Sequence, residues 1–92
     1  MLTAFVLIQA EPAKIAAIAQ ALANMPSVAE VYSVTGDFDI IAVLRLADYE
    51  QLAEAVPENL ARVDGIIRTN TILAFRRYSA QDLKAAWDIG VS

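Results

Sequence analysis

The chain has 92 residues, 58% of them apolar types, and a net charge of −4 from seven Lys and Arg against eleven Asp and Glu. That length suits one domain with one core, and the acidic balance argues against direct nucleic-acid binding, which feeds on positive charge. With no cysteine and no histidine, there is no disulfide framework, no thiolate metal site, and neither the commonest general base nor the commonest metal ligand. Eighteen residues are alanine, which points to helix as much as to core. The apolar share still exceeds what so short a chain hides alone, so self-association is the expectation.

The opening MLTAFVLIQA lacks a basic stretch and a small-residue cleavage site, and meets Glu11-Pro12 at once. It reads as strand, not signal sequence, and nothing approaches the ~20 apolar residues of a membrane span. A cytoplasmic protein without membrane contact is expected. Residues 3–10 are apolar on both faces, as in a central strand. Glu11-Pro12 opens a helix, with proline placed where its missing N–H costs little. Ile15, Ile18, Leu22 and Met25 give that helix one apolar stripe, and Asn24 and Pro26 stop it.

Residues 28–35 read as a second strand, Gly36 as a turn and residues 40–46 as a third strand, so TGDFD joins a hairpin. Asp48 with Gln51 forms a capping box. Tyr49, Leu52, Val56, Leu60 and Val63 then repeat at three and four residues, and Gly65 ends this second helix. Pro57 lies inside it and should kink it or weaken a turn. Residues 66–78 read as a fourth strand. Ser79 with Asp82 opens a short final helix, in which Leu83 and Trp87 share a face and Gly90 closes the end.

The order βαββαβ defines an α+β, ferredoxin-like sandwich over residues 1–78, with a helical tail over 79–92. The halves echo each other, PSVAEVYSV after the first helix and DGIIRTNTI after the second. Two helices cover one face of the sheet. The other face carries Phe, Leu, Ile and Val, and a second copy is its simplest partner, which gives a dimeric α/β barrel.

Two constellations carry the candidate site. Thr35, Gly36, Asp37 and Asp39 serve a hairpin turn, yet their number exceeds what a turn needs. A carboxylate beside exposed backbone N–H groups can read both ends of an amino acid. Thr69, Asn70 and Thr71 satisfy plain β-propensity, but three small polar residues in an apolar strand also suit a pocket or a subunit seam. Arg45 reads as a packed stem with its head paired to a carboxylate such as Glu30. Arg76 and Arg77 read as a solvated strand edge, one on each side. No Ser-His, Cys-His or Gly-rich phosphate loop occurs, no cofactor is implied, and two aspartates with a threonine lack the spacing of a calcium loop.

With VYSVTGDFDIIAVL, DYEQL and VDGIIRTNTIL in place, the chain resembles the effector-binding and oligomerisation domain of the Lrp/AsnC transcription regulators, the RAM domain. The resemblance covers residues 2–75 and begins at the first strand of that domain. It therefore implies a stand-alone form without the helix-turn-helix. It also implies a homodimer with sheets stacked face to face, assembling further to an octamer, alone or mixed with full-length regulators. The implied ligand is an amino acid or related metabolite, held between dimers at Val34, Thr35, Gly36, Asp37 and Asp39, with Thr69, Asn70 and Thr71 approaching from a neighbour's fourth strand. Asp37 or Asp39 would face the α-ammonium, while the Gly36 N–H and threonine hydroxyls would hold the carboxylate. Pro57 and the tail depart from the family pattern. Two alternatives share the scaffold: a small monooxygenase or isomerase, which the missing His and Cys oppose, and an ACT-like regulatory subunit of a metabolic enzyme.

Overall fold

The computed structural model describes residues 1–80. The expected final helix, with Leu83, Trp87 and Gly90, lies outside them. Four strands form one antiparallel sheet: β1 (Leu2–Ala10), β2 (Val28–Ser33), β3 (Ile40–Leu46) and β4 (Ile66–Leu73), in spatial order β2-β3-β1-β4. The helices are α1 (Ile15–Ala23) and α2 (Tyr49–Ala53), each lying between strands in the chain. This is the ferredoxin-like arrangement expected from the order of elements.

The central pair is long because both strands are apolar on both faces. β1 and β3 run in register from Leu2 opposite Leu46 to Ile8 opposite Ile40. On the helix side, Val6, Ile8, Ile40, Leu44 and Leu46 are each fully buried. Ile18 and Leu22 of α1 and Leu60 beyond α2 complete the layer. Among the described residues no polar or charged side chain is buried. Burial of apolar surface at ~25 cal/mol per Å² therefore drives this layer almost unaided.

The second helix is irregular for a local reason. Asp48 Oδ1 accepts the Gln51 N–H at 3.0 Å, as the expected cap requires, while Gln51 Oε1 reaches one residue further back and accepts the Ala47 N–H at 2.7 Å. After one α-helical stretch the backbone widens into a π-helical turn, Glu54–Asn59, with Pro57 inside, and tightens again as a 3₁₀ turn, Leu60–Arg62. In α geometry the proline ring would strike the carbonyl four residues back and offer it no donor; the wider turn relieves both problems. Of the expected repeat, Leu60 is buried and Leu52, Val56 and Val63 pack against the core, whereas Tyr49 is exposed; Ala55, outside the repeat, is buried as well.

β4 stops at Leu73, five residues short of the expected strand end. β1 itself continues to Leu2, and the Ala74 N–H still donates to the Thr3 C=O at 2.9 Å, one bond past the last residue of β4.

The turn before β4 is fastened to the start of the first helical segment. The Glu11 N–H donates to the Gly65 C=O at 2.9 Å. Lys14 Nζ lies 2.6 Å from Asp64 Oδ2 and 3.6 Å from Glu11 Oε2. The hydrogen bond and charge of Asp64 raise the Lys14 pKa, and the same bond from Lys14 lowers that of Asp64. A lowered carboxylate pKa stabilises the fold above the unfolded value, near 3.8, and the contribution fades as pH falls through the folded value. Lys14 is raised, so its share is complete below 10.5 and fades only in stronger alkali. Asp64→Asn should therefore flatten part of the acid limb of stability against pH and part of the loss in strong alkali, measured by urea unfolding at stepped pH, while the plateau between them is lowered and keeps its shape.

Gly65 itself has φ +98°, and a Cβ there would sit 2.7 Å from Lys14 Cδ and 2.9 Å from Lys14 Cβ. Gly36 has φ +113° with nothing within 4 Å of the same position. Gly65→Ala should cost about 1–3 kcal/mol, more than Gly36→Ala, because strain and collision act together at one site and strain alone at the other. Equal losses in parallel urea titrations would refute that ordering.

Candidate functional site

The hairpin turn between β2 and β3 is held at its base and open at its tip. The Val34 N–H donates to the Asp39 C=O at 2.9 Å, and the Asp39 N–H donates to the Ile8 C=O at 2.8 Å. Asp39 Oδ2 accepts the Ala10 N–H at 2.8 Å, at the point where the β1–β4 register slips. One carboxylate of the expected pair therefore serves the sheet: it satisfies the Ala10 N–H, two residues beyond Ile8, where the β1–β3 ladder ends. Asp37 stands exposed at the tip beside Gly36 and Thr35. An open depression of about 650 Å³ beside the turn is lined by Ser33, Val34, Thr35 and Ile41.

Strand register decides which side chains share the face away from the helices. One row across the sheet runs Tyr32, Ile41, Leu7, Asn70, and the next runs Glu30, Val43, Phe5, Ile72. Arg45 and Thr3 form a third row, Gln9 and Arg68 a fourth at the hairpin end. This face is apolar at its centre and uncovered, with Phe5 at 37% and Ile72 at 48% exposure.

The three polar residues of β4 divide between faces. Asn70 pairs with Leu7 on the open side, whereas Thr69 and Thr71 pair with Ile8 and Val6 on the helix side. Alternation along a strand makes such a split unavoidable, so consecutive positions cannot line one pocket wall. Within one chain the hairpin and the start of β4 share one end of the sheet, since Ile40, Ile8 and Thr69 lie in one row.

Two contacts were not singled out from the sequence. The Arg68 guanidinium lies over the Phe38 ring, 5.0 Å from its centroid, and links the turn to β4 across two intervening strands. Tyr32 donates its hydroxyl to Glu30, which raises the tyrosine pKa chiefly through that bond and then through the carboxylate charge. Glu30 also pairs with Arg45, Nη1 to Oε1 3.7 Å, the partner expected for this arginine. The D-aromatic-D pattern and the i,i+2 spacing of Glu30 and Tyr32 carry these signals only once the strands are aligned.

Arg76 and Arg77 require a correction. As strand residues they would point to opposite sides. Because β4 ends at Leu73, the alternation no longer applies, and both line one groove on the open face. Among the described residues, no group of three or more acidic side chains could hold a metal ion, and no helix is long and apolar enough to cross a membrane.

A four-stranded antiparallel sheet with helices on one side and a polar hairpin at one end is a regulatory as much as a catalytic scaffold, so similarity has to separate the two. Residues 3–83 match the Lrp/AsnC ligand binding domain, and the chain belongs to that family. It is 37% identical over 70 residues to an uncharacterized HTH-type transcriptional regulator of Pyrococcus abyssi, covering 76% of this chain and 44% of that one. The chain spans about half the length of the curated regulators it matches. A crystal structure from Thermus thermophilus superposes with a TM-score of 0.82 at 47% identity, covering 86% of this chain and 99% of the other. A Neisseria meningitidis transcriptional regulator, solved as an L-Met complex, shares the fold at TM-score 0.76 and 20% identity, covering 85% and 52%. The curated relatives are transcriptional regulators, and the chain is a ligand-binding domain of that family, not an enzyme.

Asp39→Ala should destabilise the domain by about 1–3 kcal/mol, because it strands the Ala10 N–H. Asp39→Asn keeps an acceptor and should cost less. Denaturant midpoints, together with hydrogen exchange at the Ala10 amide, measure both.

Proposed function

We propose that this domain binds an amino acid at the turn formed by residues 34–39 and uses it to control the assembly of Lrp/AsnC-type regulators. The observation that carries the reading is the division of labour between the two aspartates. Asp39 is committed to the Ala10 N–H, while Asp37 makes no hydrogen bond or ion pair with the described residues and stands beside Gly36. An exposed carboxylate next to accessible backbone N–H groups suits a zwitterion, the ammonium on Asp37 and the carboxylate on the Gly36 N–H with the Thr35 hydroxyl. Val34 supplies an apolar wall for the ligand side chain. The L-Met complex of the Neisseria relative supports an amino acid as the ligand class.

The site is completed by a neighbouring copy in this reading. Thr69 and Thr71 of that copy act as a pair from one side of β4, and Asn70 acts separately from the other. The uncovered face bearing Phe5, Leu7, Ile41 and Val43 meets its counterpart in a homodimer, and dimers join at the hairpins into a larger ring such as an octamer. A ligand held at such a seam stabilises the assembly that presents the complete pocket, by RT ln(1 + [L]/Kd). The acidic chain leaves DNA contact to helix-turn-helix regulators with which it co-assembles.

Sedimentation velocity at micromolar protein, with and without amino acids, tests the linkage. A ligand-dependent shift is expected, and a distribution unmoved by every amino acid would overturn the reading. Calorimetry with the active amino acid should then show Asp37→Asn weakening binding about tenfold, the value of one charge-assisted hydrogen bond. Phe5→Glu should dissociate the dimer, because it buries an unpaired charge where the two sheets meet.

A further inference from the structure

The widened turn around Pro57 faces the connection between α1 and β2 across a cleft of about 340 Å³, at the small end of ligand pockets. Ala55 and Leu60 are buried beneath it, and Asn59 and Arg62 stand exposed at its edge. Residues 25–28 form the facing wall. That wall is fixed by its backbone. The Met25 N–H donates to the Leu22 C=O at 3.0 Å, the Val28 N–H to the Met25 C=O at 3.1 Å, and the Arg45 N–H to the Ser27 C=O at 3.0 Å. Val28 opens β2 and the hairpin turn follows Ser33, so cleft and turn lie at opposite ends of one strand. The cleft belongs to the helix side of the sheet, and it stays open when a second copy covers the other face.

The polar groups at this cleft are unpartnered. The Arg62 guanidinium, the Asn59 amide and the Ser27 hydroxyl make no hydrogen bond or ion pair with the described residues. Among the described residues no carboxylate lines the cleft, although the chain has eleven Asp and Glu against seven Lys and Arg. The rest of the lining is apolar, from Met25, Pro26, Val28, Ala55 and Leu60, with no aromatic ring among the described residues. An apolar lining with a few convergent polar groups is the usual make-up of a ligand site. Pro57 sets the shape of one wall. In a π turn residues five apart share one side, which aligns Leu60 with Ala55.

We infer that this cleft is a second small-molecule site, selective for a short aliphatic carboxylate. The carboxylate pairs with Arg62, whose planar fork matches it, and takes further donors from the Asn59 amide and the Ser27 hydroxyl. The alkyl chain lies over Leu60 and Val28, and Met25 adjusts around it. A single cation in the lining matches a single negative charge, and an aliphatic wall matches an alkyl chain better than a flat ring. The facing wall is already ordered, so binding loses little affinity to fixing it. The site is distinct from the turn at residues 34–39 and does not depend on the amino-acid reading.

Hexanoate is the probe, and hexanamide, of similar shape without the charge, is the control for apolar binding alone. NMR titration of the full chain should show saturable hexanoate binding that shifts the Asn59 side-chain amide and the backbone amides of Ser27 and Val28. Arg62→Gln should weaken it about tenfold, and Asn59→Ala by less. Both residues are exposed and unpartnered, so urea midpoints should stay in place and separate lost binding from lost folding. Arg76→Gln, on the open face, and Asp37→Asn, at the turn, should leave the titration unchanged. Hexanamide should bind more weakly and ignore Arg62→Gln. The inference is overturned if hexanamide binds as well as hexanoate, or if Arg62→Gln leaves hexanoate affinity intact. It is likewise overturned if the shifts fall at residues 34–39 and Asp37→Asn alters them, for then the probe occupies the turn. Because hexanoate carries no ammonium, failure at the cleft leaves the amino-acid site at the turn standing.

Discussion

The central β1–β3 pair is the constraint on which everything else depends. Seven residue pairs in unbroken antiparallel register put Val6, Ile8, Ile40 and Leu44 on one side and Leu7, Phe5, Ile41 and Val43 on the other. A slip of one residue would exchange the two sets and drive Arg45 into the core, so burial of the helix side fixes the register strongly. Once that pair is set, the ends of the sheet acquire different chemistry. The hairpin turn falls at the Ile8 end, and the arginine-rich groove falls at the Leu2 end.

The turn shows how two chemically identical side chains come to stand in different settings. The acidic pair looks redundant in sequence, but the β1–β3 ladder ends at Ile8, and one aspartate satisfies the Ala10 N–H beyond it. The same bond anchors the base of the turn to the middle of the sheet, which leaves the tip with Asp37 on a rigid support. Arg68 over Phe38 adds a second anchor from the far edge. A ligand at the tip would therefore meet a preorganised surface and lose little affinity to ordering the loop.

Pro57 offers a parallel case. Its ring cannot sit within a regular α-helix, yet Ala55 before it and Leu60 after it are both buried. Widening the turn by one residue reconciles the two demands, since it moves the blocked carbonyl away while keeping the apolar side turned inward. The local rule and the core packing conflict, and the backbone yields because its deformation costs less than emptying two core positions.

The order of elements, the apolar stripe of α1, the Asp48 cap and the bounds of β3 were all legible in the sequence, because each depends on neighbours within a turn or two of chain. So was the existence of an apolar sheet face that the helices leave uncovered, which follows from counting two helices against one sheet. The length of β4 was not legible, since its ladder is made with β1, whose residue opposite Leu73 is Ala4, 69 positions earlier in the chain. The separation of Thr69 and Thr71 from Asn70 was implicit in strand periodicity but had meaning only once the faces were assigned. The roles of Asp37 and Asp39, identical in chemistry and two residues apart, were decided by tertiary structure alone: only the folded sheet brings the Ala10 N–H within 2.8 Å of one of them. Local chemistry thus set the elements and their order, whereas long-range pairing chose which side chains are held in the sheet and which are left exposed.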